Sequence, residues 1–163
     1  MHQNIEIPEN KQEAYDLLIA QTKAIIESES DTIANLANVS SIIYEFLHDV
    51  NWVGFYLVKD TDLVVGPFQG KVACSRIALY KGVCGRAVEN KEMVNIANVH
   101  AFEGHIACDS ASNSEIVFPL IINNNVIGVL DIDSPSLNRF DELDEKNLQL
   151  LVNVLVKKLL DSH

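Results

Sequence analysis

Glu115-Ile116-Val117-Phe118-Pro119-Leu120-Ile121-Ile122 runs into Asn123-Asn124-Asn125 and on into Val126-Ile127-Gly128-Val129-Leu130-Asp131-Ile132-Asp133. This reads as two strands joined by an asparagine turn, because asparagine tolerates the backbone conformations of tight turns. Side chains on a strand alternate between its two faces. Ile116, Phe118 and Leu120 therefore share one face, and Glu115, Val117 and Pro119 the other. In the second strand Gly128, Leu130 and Ile132 alternate against Val129, Asp131 and Asp133. The hairpin has one greasy face, which needs a covering layer, and one face that carries three carboxylates.

Working outward, Trp52 to Val58 predicts a third strand, with Val53, Phe55 and Leu57 facing the core and Trp52, Gly54 and Tyr56 facing away. Leu63 to Val65 follows the turn Lys59-Asp60-Thr61-Asp62, and Arg76 to Tyr80 predicts a further strand. Gly82 to Glu89 reads as a short helix. Ala14, Leu17, Leu18, Ala24 and Ile25 have helical spacing, as do Ile33, Leu36, Val39, Ile43 and Phe46 after a Ser30-Asp31 cap. A last helix starts near Asp141. Asp141, Glu142, Asp144 and Glu145 suit the positive end of its dipole, Leu148, Leu151, Leu155 and Leu159 form its stripe, and Lys157 and Lys158 fall in its last turns. Helices, then strands, then a closing helix give the α+β class. The 163 residues make one domain, with no internal repeat and no linker.

On the open face, Asp131 and Asp133 sit roughly 6.5 Å apart along one strand. Carboxylates converging over an aromatic floor of Trp52 and Tyr56 suit a small cationic ligand. The plainer readings are solvated acids at strand ends and ordinary aromatic packing.

The formal net charge of -11 argues against nucleic acid and against an anionic membrane surface, since phosphates need clustered lysine and arginine. Met1 to Lys11 has neither an apolar nor a basic targeting region, and the apolar runs are far short of a membrane span. A cytoplasmic location is the expectation. There the thiols rest reduced, and a disulfide is catalytic or regulatory.

All three cysteines, Cys74, Cys84 and Cys108, fall within one stretch of 35 residues. Three thiols cannot all pair within one chain, so a purely structural disulfide framework leaves one over. A redox enzyme with a nucleophile, a resolving thiol and an auxiliary thiol uses all three. His105 lies three residues before Cys108 and either lowers its pKa or caps a loop. Cys84 opens the short helix, where a thiolate is favoured. Against each thiol stands the reading of a small buried hydrophobe. A zinc site from Cys74, Cys84, His105 and Cys108 has the right donors but lacks the close cysteine pair of structural zinc, so no metal is expected.

Trp52-Val53-Gly54-Phe55-Tyr56, Gly66-Pro67-Phe68-Gln69-Gly70-Lys71, Gly82-Val83-Cys84-Gly85, His105-Ile106-Ala107-Cys108-Asp109, Ser114-Glu115-Ile116-Val117 and Ile127-Gly128-Val129-Leu130-Asp131-Ile132-Asp133-Ser134 follow one another along most of the chain. In these segments the sequence resembles a GAF domain and, more narrowly, the free methionine-(R)-sulfoxide reductases. The resemblance implies a single GAF domain over 1–163: a mostly antiparallel six-stranded sheet with helices on one face and a ligand pocket on the other. It implies reduction of free methionine sulfoxide through a cysteine sulfenic acid and an intramolecular disulfide. Thioredoxin, and NADPH indirectly, supplies the electrons. No cofactor is bound, and a homodimer is expected.

By the same resemblance Cys108 is the nucleophile, with Cys74 first and Cys84 second as resolving thiol. Trp52 and Tyr56 pack the S-methyl end, Glu115 assists at the sulfoxide oxygen, and Asp131 and Asp133 bind the amino group. Two other classes remain open, a non-catalytic GAF sensor of small molecules and a redox-switched binding module. The absence of an output domain and the acidity of the pocket speak against the sensor.

Overall fold

The computed structural model describes residues 4–104 and 111–162. Along the chain it forms α1 (Lys11–Glu27), α2 (Thr32–Phe46), β1 (Trp52–Lys59), β2 (Asp62–Gly70), β3 (Arg76–Ala78), α3 (Gly82–Asn90), β4 (Val94–Ile96), β5 (Ser114–Ile122), β6 (Asn125–Ser134) and α4 (Glu142–Asp161). The strands lie in the order β3-β2-β1-β6-β5-β4, each antiparallel to its neighbours.

The β5–β6 hairpin turns on two residues rather than three. Asn123 and Asn124 have φ of 51° and 65°, and Asn125 already pairs with Ile122. Two positive φ values give the turn whose twist matches that of the flanking strands. The register then places Phe118 opposite Leu130 and Leu130 opposite Phe55. These three, wholly buried, form a row across the central strands. The helices α1, α2 and α4 cover it with Leu18, Leu36, Ile43, Leu148, Leu151 and Leu155.

Each covering helix is started by an acceptor. Asn10 receives the Glu13 amide at 2.9 Å, Asp31 the Ala34 amide at 2.8 Å, and Asp141 forms a reciprocal box with Asp144. Asp144 is fully buried yet accepts from the Tyr15 hydroxyl, from Lys11 at 2.9 Å and from Arg139 at 3.1 Å. These donors compensate the lost hydration of its charge and tie α1 to the first turn of α4. No helix among the described residues is long and apolar enough to cross a membrane.

Three features depart from the expectation. The short helix α3 lies on the opposite face of the sheet, where Val83, Cys84, Ala87 and Val88 pack with Trp52, Tyr56, Val117 and Val129 in a second apolar cluster. Strand β2 continues through Gly66 and Pro67 to Gly70, beyond the expected stretch of Leu63 to Val65. β3 pairs only with Asp62, Leu63 and Val64, so Pro67 occupies a stretch with an open edge, where a missing amide costs nothing. Strand β4 has only three residues, too few for a period to register.

Gly54 is required by close approach. Phe68 stacks on Trp52 with ring centroids 5.1 Å apart. A Cβ at position 54 would lie 2.3 Å from Cβ of Phe68 and 2.7 Å from the Trp52 ring. Gly54→Ala is expected to lower stability by about 1–3 kcal/mol through overpacking and to alter the fluorescence of Trp52, the single tryptophan. A urea titration followed at that fluorophore reads both; an unchanged midpoint would show that Phe68 relaxes freely.

Candidate active site

The register that builds the core also builds the site. Trp52 pairs with Asp133, and Asp133 with Glu115, in one row across β1, β6 and β5. Asp131 stands two residues along on the same face, opposite Gly54 and Val117. Trp52, Tyr56, Glu115, Asp131 and Asp133 line one pocket, and α3 closes it with Lys81, Gly82, Val83 and Cys84. All five expected binding residues, with one of the three thiols, are thus together. Glu115 and Asp131 are 7% and 5% exposed. They are not the solvated strand-end acids of the plainer reading.

The two aromatics have committed polar ends. The Trp52 indole donates to the carbonyl of Lys71 at 3.2 Å, and the Tyr56 hydroxyl to the carbonyl of Cys74 at 2.9 Å. The rings are 5.8 Å apart and stacked. They form the apolar floor and at the same time hold the segment between β2 and β3 that bears Cys74. Cys74 is disulfide-bonded and half-buried, whereas Cys84 is a free, buried thiol. Cys108 and its neighbour His105 lie outside the described residues.

Electrostatics reverses one expectation. Cys84 does open a helix, but its thiol is pushed well up rather than down. Burial is the largest cause, followed by the charges of Asp131, Glu115 and Asp133 and a hydrogen bond to Asp131. Asp131 itself is raised well above the usual carboxylate range. Burial comes first, then the charges of Asp133 and Glu115 and hydrogen bonds to both. A carboxyl so placed favours its protonated form. Burial, then Asp131, also pushes the Tyr56 hydroxyl up, so it stays a donor to Cys74.

Several pocket residues carried no signal in the sequence. Ser112 lines the pocket and accepts from the Asn51 side chain at 3.2 Å. The N-cap of α3 is Lys81, whose side chain makes no capping bond. The first residues of α3, Gly82, Val83 and Cys84, line the pocket, and no side-chain cap at Lys81 takes up their amides. An uncapped start is visible as a lysine where serine or aspartate is usual, but only the fold shows that it lines the same pocket as the carboxylates.

The GAF domain profile matches residues 34–156. Free methionine-R-sulfoxide reductase of Escherichia coli is 53% identical over 150 residues, 92% of this chain and 91% of that protein. The protein of the same name from Saccharomyces cerevisiae is 38% identical, covering 96% of this chain and 91% of its own. The X-ray structure of free methionine-R-sulfoxide reductase from Neisseria meningitidis in complex with its substrate superposes with a TM-score of 0.95 at 41% identity, covering 99% of this chain and 98% of that one. The two-faced sheet, the pocket beneath α3 and these likenesses agree: the chain belongs to the GAF domain family and, within it, to the free methionine-(R)-sulfoxide reductases.

Proposed function

We propose that the chain reduces free L-methionine-(R)-sulfoxide to methionine by thiol chemistry. The observation that carries the proposal is the convergence of three carboxylates and two aromatics on one sheet face, against the segment that bears Cys74. A free amino acid has an ammonium that a peptide-bound residue lacks, and crowded carboxylates reward that cation. Asp131 and Asp133 take the ammonium. Lys81 and the uncapped start of α3 receive the α-carboxylate. Trp52 and Tyr56 pack the S-methyl end, and a proton held within the carboxylate cluster reaches the sulfoxide oxygen through Glu115.

Cys108 attacks the electrophilic sulfur as a thiolate while the oxygen is protonated. The oxygen passes from the substrate sulfur to the Cys108 sulfur, the transient S–S bond cleaves, and methionine leaves with its sulfur reduced by two electrons. Cys108, oxidised by the same two electrons, becomes a sulfenic acid. The Cys74 thiol then condenses with it, forming an S–S bond and releasing water. The disulfide found at Cys74 and the buried, protonated state of Cys84 support Cys74 as the resolving thiol. Thioredoxin, kept reduced by NADPH, reopens the disulfide by exchange. A cytoplasmic homodimer belongs to the same reading. NADPH oxidation coupled through thioredoxin reductase and thioredoxin to free methionine sulfoxide tests the whole sequence; no oxidation above the substrate-free rate would overturn it.

Cys108→Ser is expected to abolish methionine formation even in a single turnover without reductant. Cys74→Ser should still release about one methionine per site in that burst, because the sulfenic acid precedes the disulfide, while its thioredoxin-driven turnover collapses. Unchanged steady-state turnover in Cys74→Ser, with a stalled Cys84→Ser, would exchange the two roles.

Asp131→Asn is expected to raise KM for free methionine sulfoxide by roughly 10–100-fold, the worth of one charge-assisted hydrogen bond. The N-acetylated substrate, poor already, should change little. The same variant should be more stable than wild type at pH 7. Folding raises the Asp131 pKa, so the native state holds an extra proton once the pH passes the unfolded value near 3.9, and stability falls as pH rises through that interval. The asparagine escapes this loss, and its margin in Tm should vanish toward pH 3. Equal kcat/KM for free and acetylated substrates in the wild type would remove the ammonium from the account.

A further inference from the structure

One sulfur and two carboxylates meet in the pocket in a way that ammonium recognition does not require. Sγ of Cys84, a carboxylate oxygen of Glu115 and a carboxylate oxygen of Asp131 all lie within 4.8 Å of one another. All three residues are buried. Oδ1 of Asp131, in the wall of the same pocket, is sealed from solvent with no hydrogen-bond partner. The pocket volume is about 50 Å³, room for an ion and a few waters at roughly 10–15 Å³ each. The Tyr56 hydroxyl is occupied by the carbonyl of Cys74 and does not compete for the cluster.

We propose that Cys84, Glu115 and Asp131 form a reversible binding site for a borderline-soft divalent cation of the zinc type. A thiolate with two carboxylates is a zinc donor set, with a fourth position left for water or for Asp133, which lines the same pocket. Sulfur selects against magnesium and calcium, which prefer all-oxygen shells. A dication neutralises more of the cluster than an ammonium does, and the apolar walls of Trp52, Tyr56 and Val83 strengthen that attraction. On binding, the metal displaces the Cys84 proton to solvent and no electron moves. If the pocket takes the substrate ammonium, as proposed above, the metal is a competitive inhibitor; metal binding itself does not rest on that reading.

This cluster differs from the four-residue zinc set weighed from the sequence. It uses Cys84, the free thiol among the described residues, where Cys74 is in a disulfide. The test therefore uses the full chain with that disulfide intact. Zinc is followed by calorimetry and cobalt by absorption. One zinc per chain and a thiolate-to-cobalt charge-transfer band are expected. Cys84→Ala should abolish the band and weaken zinc by more than the roughly tenfold that outer-shell changes bring. Asp131→Asn, which retains the thiol, should weaken zinc without abolishing the band. Should Cys84→Ala fail to fold, Cys84→Ser takes its place with the same expectation. Undiminished zinc binding in the cysteine variant, or a cobalt spectrum without sulfur ligation, would overturn the site. Free methionine is added last. Displacement of zinc supports both this site and the substrate reading, whereas a persisting cobalt band that methionine cannot displace supports the metal site and counts against the substrate reading.

Discussion

The structure depends on one register, that of β1 against β6 against β5. Because side chains alternate strictly, aligning Phe55, Leu130 and Phe118 in a buried row necessarily aligns Trp52, Asp133 and Glu115 on the other side. A slip of one residue in β6 would carry Asp131 and Asp133 into the helix-covered core and Leu130 and Ile132 out of it. The apolar row is thus the restraint that holds the carboxylates in their crowded arrangement. Burial of three large side chains under α1, α2 and α4 stabilises by several kcal/mol in aggregate, enough to impose like charges opposite one another on the far face, which costs well under that.

Crowding then decides what the thiols can do. A helix start favours a thiolate by about 0.3–1 kcal/mol, more in favourable burial. Removing an ion from water costs several kcal/mol, and three neighbouring carboxylates add to it. At Cys84 burial and the carboxylates win, and the thiol stays protonated. A nucleophile for sulfoxide chemistry must be a thiolate, so a residue in this position is poorly suited to attack, whatever the helix offers. The same inequality makes the pocket receptive to cations and destabilising to the fold when empty, the usual balance between a site and the stability of its scaffold.

Much of this was legible in the residues. Period-two alternation sorted both faces of β1, β5 and β6, the Ser30-Asp31 cap announced α2, and the acids from Asp141 to Glu145 announced α4. What escaped had physical reasons. The sequence of three asparagines does not say that the turn uses two of them; that follows from the register of Ile122 with Asn125. The expected strand over Leu63 to Val65 falls short of β2 because the short reach of β3, a tertiary fact, is what makes Pro67 tolerable in the strand. The side on which α3 packs is set by the second apolar cluster, where Val83, Cys84, Ala87 and Val88 meet Trp52, Tyr56, Val117 and Val129, and the helix's own nine residues do not name that partner. Ser112 and the first amides of α3 carry no type signal, since a serine and a backbone amide are everywhere.

The aromatic floor joins the two halves of the site. Had Trp52 and Tyr56 been plain sheet packing, their polar atoms would need satisfying somewhere unrelated to the chemistry. Instead both donate to carbonyls of the connection between β2 and β3, one at Lys71 and one at Cys74. The wall against which a ligand rests is therefore the wall to which the Cys74 segment is fastened. The Tyr56 hydroxyl, kept as a donor by burial and by Asp131, ties the backbone of the disulfide-bonded Cys74 to the state of the carboxylate cluster. Any cation that settles among Asp131, Asp133 and Glu115 lowers the negative potential at that hydroxyl. That hydroxyl holds the Cys74 carbonyl, so occupancy of the pocket and placement of the Cys74 backbone are physically one problem.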